Sequence, residues 1–313
     1  MLTFCKTMIL IDQFGRTIDY LRISVTDRCN LRCVYCMPEK GVENISHGEI
    51  LRYEEILKIV DVAISLGIKK FRITGGEPLV RKGIVKFLSE LSQRKVDFSV
   101  TTNGILLGDS ADDLKVAGVK RINVSLDTLS EKKFSEITRG GVLKKVINGI
   151  VKAKSLGFEP LKINAVVLPD TSEEDIKTFI EFAKTGGLVV RFIEHLPFTG
   201  YRTNKLVDIE KSLQKTYNLI PTDVEGFGPG RHYKINGATI GFISALSHPF
   251  CRKCNRLRLT SDGKLLSCLS SLDFVDMKKA VRNCASDEQI KSLFFEAVKI
   301  NRKSILLKIR GIA

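Results

Sequence analysis

The sequence predicts an α/β protein, organised as an open, partial barrel of six strand–helix units followed by a smaller extension. Strand and helix patterns alternate through the first two-thirds of its 313 residues. Repeated βα units form parallel sheets with right-handed connections. Six units are too few to close an eight-stranded TIM-like barrel. The pattern changes near residue 208, which predicts a partial barrel over residues 1–207 and an extension over residues 208–313.

Six short apolar runs, bounded by polar or glycine-containing segments, predict the strands of the barrel. They are Tyr20–Thr26, Lys70–Thr74, Asp97–Thr102, Arg121–Ser125, Leu161–Leu168 and Val189–Glu194. Apolar residues at helical spacing predict the helices between them. These are Tyr53–Leu66, Lys82–Arg94, Asp112–Ala117, Leu143–Ser155 and Glu173–Lys184.

The pattern of the extension, residues 208–313, predicts short β-strands together with helices. A helical stretch runs from Asp208 to about Tyr217, and a glycine-rich turn follows at residues 225–230. Short strands are predicted at His232–Ile235 and Thr239–Ile243, then two strands among three cysteines, and two helices at the end.

Polar motifs follow five of the six predicted strands. They are the Cys29 loop, Gly75-Gly76-Glu77-Pro78, Thr101-Thr102-Asn103-Gly104, Ser125-Leu126-Asp127 and Glu194-His195. Parallel α/β barrels build their active sites at the carboxyl ends of their strands. The sequence therefore predicts one active site at this rim.

Composition narrows the class of partner. The formal net charge is +15, which indicates an anionic ligand or a basic solvated surface. Only 7% of the residues are aromatic and no block of five like charges occurs, which weakens a nucleic-acid interpretation. No apolar run of 18 residues and no signal-peptide pattern is found, so we expect a cytoplasmic protein with reduced cysteines.

Three cysteines near the start, Cys29, Cys33 and Cys36, carry the strongest signal. Their spacing is C-x3-C-x2-C. Three thiolates suit a four-iron cubane cluster that leaves one iron open to a small molecule. A structural zinc ion normally has four closed ligands, and no further Cys or His lies within ten residues of the run. An iron–sulfur cluster is the favoured interpretation, with zinc second.

A second triad, Cys251, Cys254 and Cys268, has the spacing C-x2-C-x13-C. With His248 as a fourth ligand it could bind zinc. A second iron–sulfur cluster with an open iron is the preferred interpretation, given the first triad.

The first triad, with Tyr35 as the aromatic residue before Cys36, resembles the radical S-adenosylmethionine (radical SAM) superfamily. The resemblance implies a barrel of the radical SAM type. It also implies that S-adenosylmethionine chelates the open iron and is split reductively to a 5′-deoxyadenosyl radical. The chemistry belongs to the cofactor, which the protein positions and shields.

Both triads together resemble the GTP 3′,8-cyclase family, which begins molybdenum cofactor (molybdopterin) biosynthesis. The shared motifs cover nearly the whole chain and include Leu-Arg-Ile-Ser-Val-Thr-Asp-Arg-Cys, Phe-Arg-Ile-Thr-Gly-Gly-Glu-Pro-Leu and Cys-Asn-Arg-Leu-Arg-Leu-Thr-Ser-Asp-Gly. The resemblance implies a lyase with two 4Fe–4S clusters. The radical would take hydrogen from C3′ of GTP, and C3′ would attack C8 to give (8S)-3′,8-cyclo-7,8-dihydroguanosine 5′-triphosphate.

Site residues follow from the resemblance, motif by motif. The residues implied to bind S-adenosylmethionine are Tyr35, Gly76, Ser125 and Leu196. Those implied to bind GTP are Arg22, Arg72, Thr101, Lys162, Arg256, Leu257 and Arg258. An electron donor for the clusters is implied as well, a homodimer is possible on this basis, and neither nucleic acid nor membrane is an expected partner.

Spacing supports two of these assignments. Lys162 and Asn164 are two residues apart on a predicted strand, so both face the same side of the sheet. A lysine on that side either binds an anionic ligand or lies at the rim and extends its charged end into water. Arg256 and Arg258 alternate with leucines, which predicts both guanidinium groups on one face and Leu257 in the core.

Two positions depart from the family pattern. Leu196 stands where the family usually has methionine, which a backbone or apolar contact would tolerate. The chain ends Arg310-Gly311-Ile312-Ala313, whereas the family commonly ends in Gly-Gly that reaches into the barrel. We expect the tail still to enter, with Gly311 in one such position. The rival functions are another radical SAM enzyme with an auxiliary cluster, such as a peptide-modifying one, and a basic zinc protein that binds RNA.

Overall fold

The computed structural model describes residues 9–196, 205–225 and 228–300. Its strands are β1 (Tyr20–Ser24), β2 (Lys70–Thr74), β3 (Asp97–Thr102), β4 (Arg121–Ser125), β5 (Lys162–Val167), β6 (Val189–Glu194), β7 (Ile220–Pro221), β8 (Arg231–Ile235), β9 (Ala238–Ile243), β10 (Arg256–Leu259), β11 (Lys264–Leu266) and β12 (Val275–Asp276). Its helices are α1 (Tyr53–Ser65), α2 (Ile84–Ser92), α3 (Leu107–Val116), α4 (Glu131–Thr138), α5 (Leu143–Ser155), α6 (Glu173–Gly186), α7 (Lys205–Thr216), α8 (Met277–Arg282) and α9 (Asp287–Lys299). No helix among these is long and apolar enough to cross a membrane.

The chain forms two compact units that are not successive in sequence. Unit one combines residues 9–28, 44–98 and 251–300 of the described chain, and unit two combines residues 29–43 and 99–250. The predicted extension is thus shared between the units. The division at residue 207 stays a prediction.

In unit one the strands pair in the order β12-β11-β10-β1-β2. Strands β10, β1 and β2 are parallel, and β10, β11 and β12 form an antiparallel meander. Helix α1 buries an apolar stripe and packs against α8 and α9. Tyr53 on α1 stacks on Phe87 of α2 with ring centroids 4.8 Å apart, as aromatic pairs prefer.

In unit two the order is β3-β4-β5-β6-β9-β8-β7, parallel from β3 to β9 and antiparallel thereafter. Helix α6 packs on one face of this sheet, where Phe179 meets Phe192 at 6.0 Å and Phe192 meets Phe242 at 6.1 Å. All three rings are almost fully buried. This apolar layer leaves the other face of the sheet for polar side chains.

Several predicted elements differ from the structure. The first strand ends at Ser24 rather than Thr26, because the Thr26 hydroxyl accepts from the Arg28 amide and turns the chain. The helix predicted at Asp112–Ala117 begins earlier, at Leu107. A close approach of α3 to α5 explains that start, since a Cβ on Gly149 would lie 3.0 Å from the backbone nitrogen of Gly108.

Helix α4 was not predicted from the sequence. Ser130 caps its first turn by accepting a hydrogen bond from the Lys133 amide. Phe134 and Ile137 are its buried apolar side chains. Two buried apolar residues in eight are too few for the periodic pattern that identifies a longer amphipathic helix.

Candidate functional site

Unit one carries a row of arginines across three neighbouring strands. Arg22 on β1 is in register with Arg258 on β10 and with Arg72 on β2. Side chains in register on parallel strands point to the same face. Three guanidinium groups therefore lie side by side, which we call the arginine row.

The arginine row is electrostatically poised for an anion. Burial, together with the charges of Arg258 and Arg72, lowers the pKa of Arg22 to about 9. Burial also lowers the pKa of Arg258, and the charge of Arg256 adds to the effect. A bound polyanion would relieve this repulsion and form charge-assisted hydrogen bonds with the forked groups.

The alternation predicted around Arg256 is present. Leu257 and Leu259 are buried in the core, at 0% and 1% exposure, while Arg256 and Arg258 remain partly exposed on the other face. The Arg22 guanidinium donates to the Thr74 hydroxyl at 3.3 Å, and Arg72 lies over the ring of Tyr20 at 5.8 Å.

The second cysteine triad adjoins the arginine row. Cys251 opens a single helical turn, and the Cys254 amide donates to its carbonyl at 3.2 Å. Cys254 precedes β10 and Cys268 follows β11, and these strands are antiparallel neighbours. Both thiols are close enough to Arg258 for their charges to oppose the lowering of its pKa. The fourth ligand considered for zinc, His248, is exposed.

In unit two the first triad lies on a loop fastened by arginines. The Cys36 amide donates to the Cys33 carbonyl at 2.9 Å, which closes the turn between them. Arg32 donates to the Cys29 carbonyl at 2.6 Å, and Arg139 donates to the carbonyls of Arg32 and Met37, each at 2.9 Å. Two backbone hydrogen bonds also hold the loop to the end of α4. The Arg32 amide donates to the Thr138 carbonyl, and the Val34 amide donates to the Ile137 carbonyl.

The thiols of this loop have the properties of cluster ligands. Cys29 Sγ accepts hydrogen bonds from the Leu31 amide at 3.4 Å and from Asn103 Nδ2 at 3.7 Å. Burial and the charges of Asp127 and Cys36 raise the pKa of Cys33 to about 12. Burial and like charges therefore keep the free Cys33 thiol protonated, and a bound metal centre would deprotonate the thiols that coordinate it.

The donor set of each triad fits an iron–sulfur cluster. A cluster takes its thiolates on different irons, so the sulfurs need not converge on one point. Within the described ranges, no group of three His, Cys, Asp or Glu residues is arranged to hold a single metal ion.

A buried carboxylate connects the cysteine loop to the sheet. The Tyr35 hydroxyl donates to Asp127 Oδ2 at 2.7 Å, and the Val166 amide donates to Asp127 Oδ1 at 2.8 Å. Burial raises the pKa of Asp127 to about 6 and the pKa of Tyr35 well above its usual value. Asp127 therefore joins the loop of the first triad to β5.

Replacing Asp127 with alanine is expected to lower the free energy of unfolding by about 1–3 kcal/mol, because two buried donors lose their acceptor. The looser loop should also retain less iron. Tyr35→Phe removes one of the two bonds and should cost less, and Asp127→Asn should be the mildest. Chemical denaturation and iron analysis test this order, and equal iron retention in all three variants would contradict the anchoring role.

The polar face of the unit-two sheet collects further candidate residues. Strand register aligns Thr101 with Asn123 and Lys162, and Ser125 with Asn164 and Arg191. Lys162 and Arg191 are nearly buried, at 5% and 2% exposure. Lys162 donates to the Glu225 carbonyl, and Arg191 donates to Asn123 Oδ1 at 2.7 Å.

Two oxygens of this face are buried without a hydrogen-bond partner among the described residues, Thr101 Oγ1 and Asn164 Oδ1. Buried polar atoms are nearly always satisfied, so orphaned ones mark the place of a ligand or water. Arg191 was not assigned from the sequence, although it is a charged residue inside the apolar run Val189–Glu194, and the same kind of signal supported the assignment of Lys162.

The remaining expected residues are placed as follows. A Cβ on Gly76 would lie 2.3 Å from the Arg28 carbonyl oxygen, so glycine is required there by the neighbouring backbone. Leu196 is half-buried, two residues after β6. Gly311 and the tail lie outside the described residues.

Two family models and many sequence relatives match this chain. The radical SAM superfamily model matches residues 23–183, and the Molybdenum Cofactor Synthesis C model matches residues 188–306. A GTP 3′,8-cyclase of Thermodesulfovibrio yellowstonii is 47% identical over 92% of this chain and 93% of its own length. A GTP 3′,8-cyclase of Syntrophomonas wolfei is 45% identical, over 93% of this chain and 92% of its own.

Among solved structures, Streptococcus suis SuiB bound to S-adenosylmethionine aligns with a TM-score of 0.66 at 18% identity, over 94% of this chain and 73% of that one. This likeness confirms the predicted fold class, an open partial barrel of the radical SAM type with a C-terminal extension. The two GTP 3′,8-cyclases are more similar to this chain in sequence, at 47% and 45% identity, than SuiB is. The chain belongs to the radical SAM superfamily and, within it, to the family of GTP 3′,8-cyclases.

Proposed function

We propose that this chain converts GTP to (8S)-3′,8-cyclo-7,8-dihydroguanosine 5′-triphosphate, as a radical SAM lyase of molybdenum cofactor biosynthesis. The family uses S-adenosylmethionine and two 4Fe–4S clusters. The observation that carries the proposal is the position of the arginine row beside Cys254 and Cys268. Cations that can bind a nucleotide there adjoin the second triad of cluster ligands.

Cys29, Cys33 and Cys36 would hold the first cluster, and Cys251, Cys254 and Cys268 the second. When bound, the first supplies the reductive cleavage of S-adenosylmethionine, and the second an open iron for the guanine ring. The chain contributes the anchored loop around Cys33, which keeps three thiols together.

In unit one, the residues proposed for GTP are the arginine row, Arg256 and Leu257, whose side chain packs in the core. In unit two, the residues proposed for GTP are Lys162 and Thr101, whose Oγ1 is unsatisfied, and Arg191 is a further cation on the same face. The residues proposed for S-adenosylmethionine are Tyr35, Gly76, Ser125 and Leu196.

The finer expectations belong to the same proposal. Radical SAM chemistry requires a reduced cluster, so an electron donor is a necessary partner. A cytoplasmic location fits eight cysteines and oxygen-sensitive clusters. A homodimer and a catalytic role of the tail around Gly311 rest on the family resemblance.

Anaerobic reconstitution of the full chain, followed by incubation with GTP, S-adenosylmethionine and a reductant, tests the function. We expect about eight irons per chain and joint loss of both substrates. Stoichiometric zinc without visible absorbance would instead favour the basic zinc protein. S-adenosylmethionine cleavage with GTP left intact would favour a different radical SAM reaction, such as peptide modification.

Arg258→Ala is expected to weaken GTP binding by about 2 kcal/mol, since a charge-assisted hydrogen bond is lost in a partly buried place. The free protein should not lose stability, because a like charge beside Arg22 is removed. Isothermal calorimetry with the metal-loaded enzyme measures the affinity, with Arg256→Ala as the neighbouring comparison. Unchanged GTP affinity in the Arg258 variant would remove this residue from the site.

A further inference from the structure

His232 on β8 extends the polar face of unit two beyond the residues found from sequence motifs. It is in register with Gly241 on β9, and Gly241 is in register with Arg191 on β6. Two strand spacings amount to roughly 10 Å. Gly241 has no side chain, so no other side chain stands between His232 and Arg191 in this row.

Two glycines make room for the imidazole. A Cβ on Gly241 would lie 2.6 Å from His232 Cδ2, and a Cβ on Gly230 would lie 3.0 Å from His232 Cε1. Contacts under about 3 Å are sterically forbidden, so side chains at these positions would displace the ring. The backbone is therefore shaped to hold the imidazole over Gly241.

The ring nitrogen Nε2 lies between the two glycines, 3.1 Å from the Cβ position of each, and it is unsatisfied. His232 Nε2 is buried, and no hydrogen-bond partner for it exists among the described residues. A buried donor or acceptor without a partner costs free energy unless a ligand or water completes it. Thr101 Oγ1 and Asn164 Oδ1 on the same face share this property.

The charges around His232 identify the ligand as an anion. The ionic groups that act on it are Arg191 from β6, Lys162 from β5 and Asp223 from the segment before β8. Burial and the two cations lower the pKa of His232 to about 4, so the free ring is neutral at physiological pH. A phosphate beside Arg191 and Lys162 would reverse the sign of the local potential and favour a proton on the ring.

We propose that His232 contacts a phosphate group of the bound nucleotide, beside Arg191 and Lys162, and takes up a proton when that phosphate binds. This inference rests on the proposed function, since it concerns the triphosphate of GTP. In it His232 is a binding residue that donates from Nε2, and it has no part in the cleavage of S-adenosylmethionine.

The test is GTP affinity as a function of pH, measured by calorimetry on the reconstituted full chain. His232→Phe preserves the ring in its glycine cradle but removes the nitrogen. We expect about tenfold weaker GTP binding at neutral pH, as for a lost hydrogen bond to a charged group. We also expect an unchanged rate of S-adenosylmethionine cleavage without GTP.

The pH dependence is the sharper measurement. If the bound imidazole regains its ordinary pKa near 6.5, wild-type affinity should rise about fourfold from pH 8 to pH 6 relative to the variant, because the complex then binds a proton that the free protein does not. Comparing variant with wild type cancels the ionisation of the nucleotide itself. Equal affinities and parallel pH profiles would overturn the proposal.

Tyr233→Phe is the matched control, since residue 233 is adjacent on β8 and points to the opposite face. His232→Asn serves as a second non-titrating variant if the phenylalanine form does not fold. Inorganic tripolyphosphate is the second probe. If wild type binds it more tightly than the variant while failing to bind GTP, the phosphate contact stands and the proposed function fails. If both proteins bind it equally, the contact with phosphate is excluded.

Discussion

Cys33→Ala is expected to abolish both the cleavage of S-adenosylmethionine and the conversion of GTP. Cys33 is the middle ligand of the first triad, and its loop is the most heavily anchored segment near the cysteines, through Arg32, Arg139 and Tyr35. Such anchoring fixes three thiols in place before any cluster is bound. A four-iron cluster bound by two cysteines instead of three is held less firmly, so we expect the Cys33 variant to lose the first cluster.

The measurements are iron content, 5′-deoxyadenosine formation and GTP consumption after anaerobic reconstitution. The variant should retain about four irons, those of the second cluster. Cys284→Ala is the control, because Cys284 is an exposed thiol outside both triads. A Cys33 variant that still formed 5′-deoxyadenosine at the wild-type rate would refute the assignment of this triad.

Elements with strong local patterns were predicted with their observed bounds. Strands β2, β3, β4 and β6 and helix α5 begin and end where apolar periodicity and flanking turns placed them. Helix α3 was predicted too short, and helix α4 was not predicted because its two buried apolar residues make no periodic pattern. In the first turn of α3, Gly108 lies close to Gly149 of α5, and the low helix propensity of glycine gives no sign of a helix at this position.

In the candidate site too, features that depend on one strand were predicted, and features that depend on pairing between distant strands were not. Alternation on one strand was enough to place Arg256 and Arg258 on one face and their leucines in the core. The arginine row itself depends on β10 pairing with β1, residues more than 200 positions apart in the chain. Local patterns carry no information on such pairing, so neither the row nor the discontinuous units could be predicted.

The Asp127–Tyr35 link and the His232 cradle share this limitation. The sequence marks Asp127 as a polar strand end and says nothing of its partner, which is 92 residues earlier. His232 carried no readable signal, because its meaning comes from Gly241 across the strand pair and Arg191 one strand further. Long-range register thus assembles the polar faces from residues that look ordinary in isolation.

Cys254→Ala is expected to separate the two substrates. Cleavage of S-adenosylmethionine should persist, since the first triad belongs to unit two and its loop is held by contacts within that unit. GTP conversion should stop. Cys254 lies beside Arg258, so loss of this ligand removes the second cluster from the neighbourhood of the arginine row.

Three readings on one sample make this result informative. Iron should fall from about eight to about four per chain, 5′-deoxyadenosine should still appear, and GTP should remain. Full GTP turnover in the Cys254 variant would exclude the second triad from the reaction. Loss of 5′-deoxyadenosine would instead indicate a general folding defect. Thermal unfolding of the Cys254 variant, compared with that of the Cys284→Ala control, detects such a defect. Cys33→Ala should lose both reactions, whereas Cys254→Ala should lose only the conversion of GTP. This difference is expected only if the first triad cleaves S-adenosylmethionine and the second triad serves GTP, so the pair of variants tests that assignment.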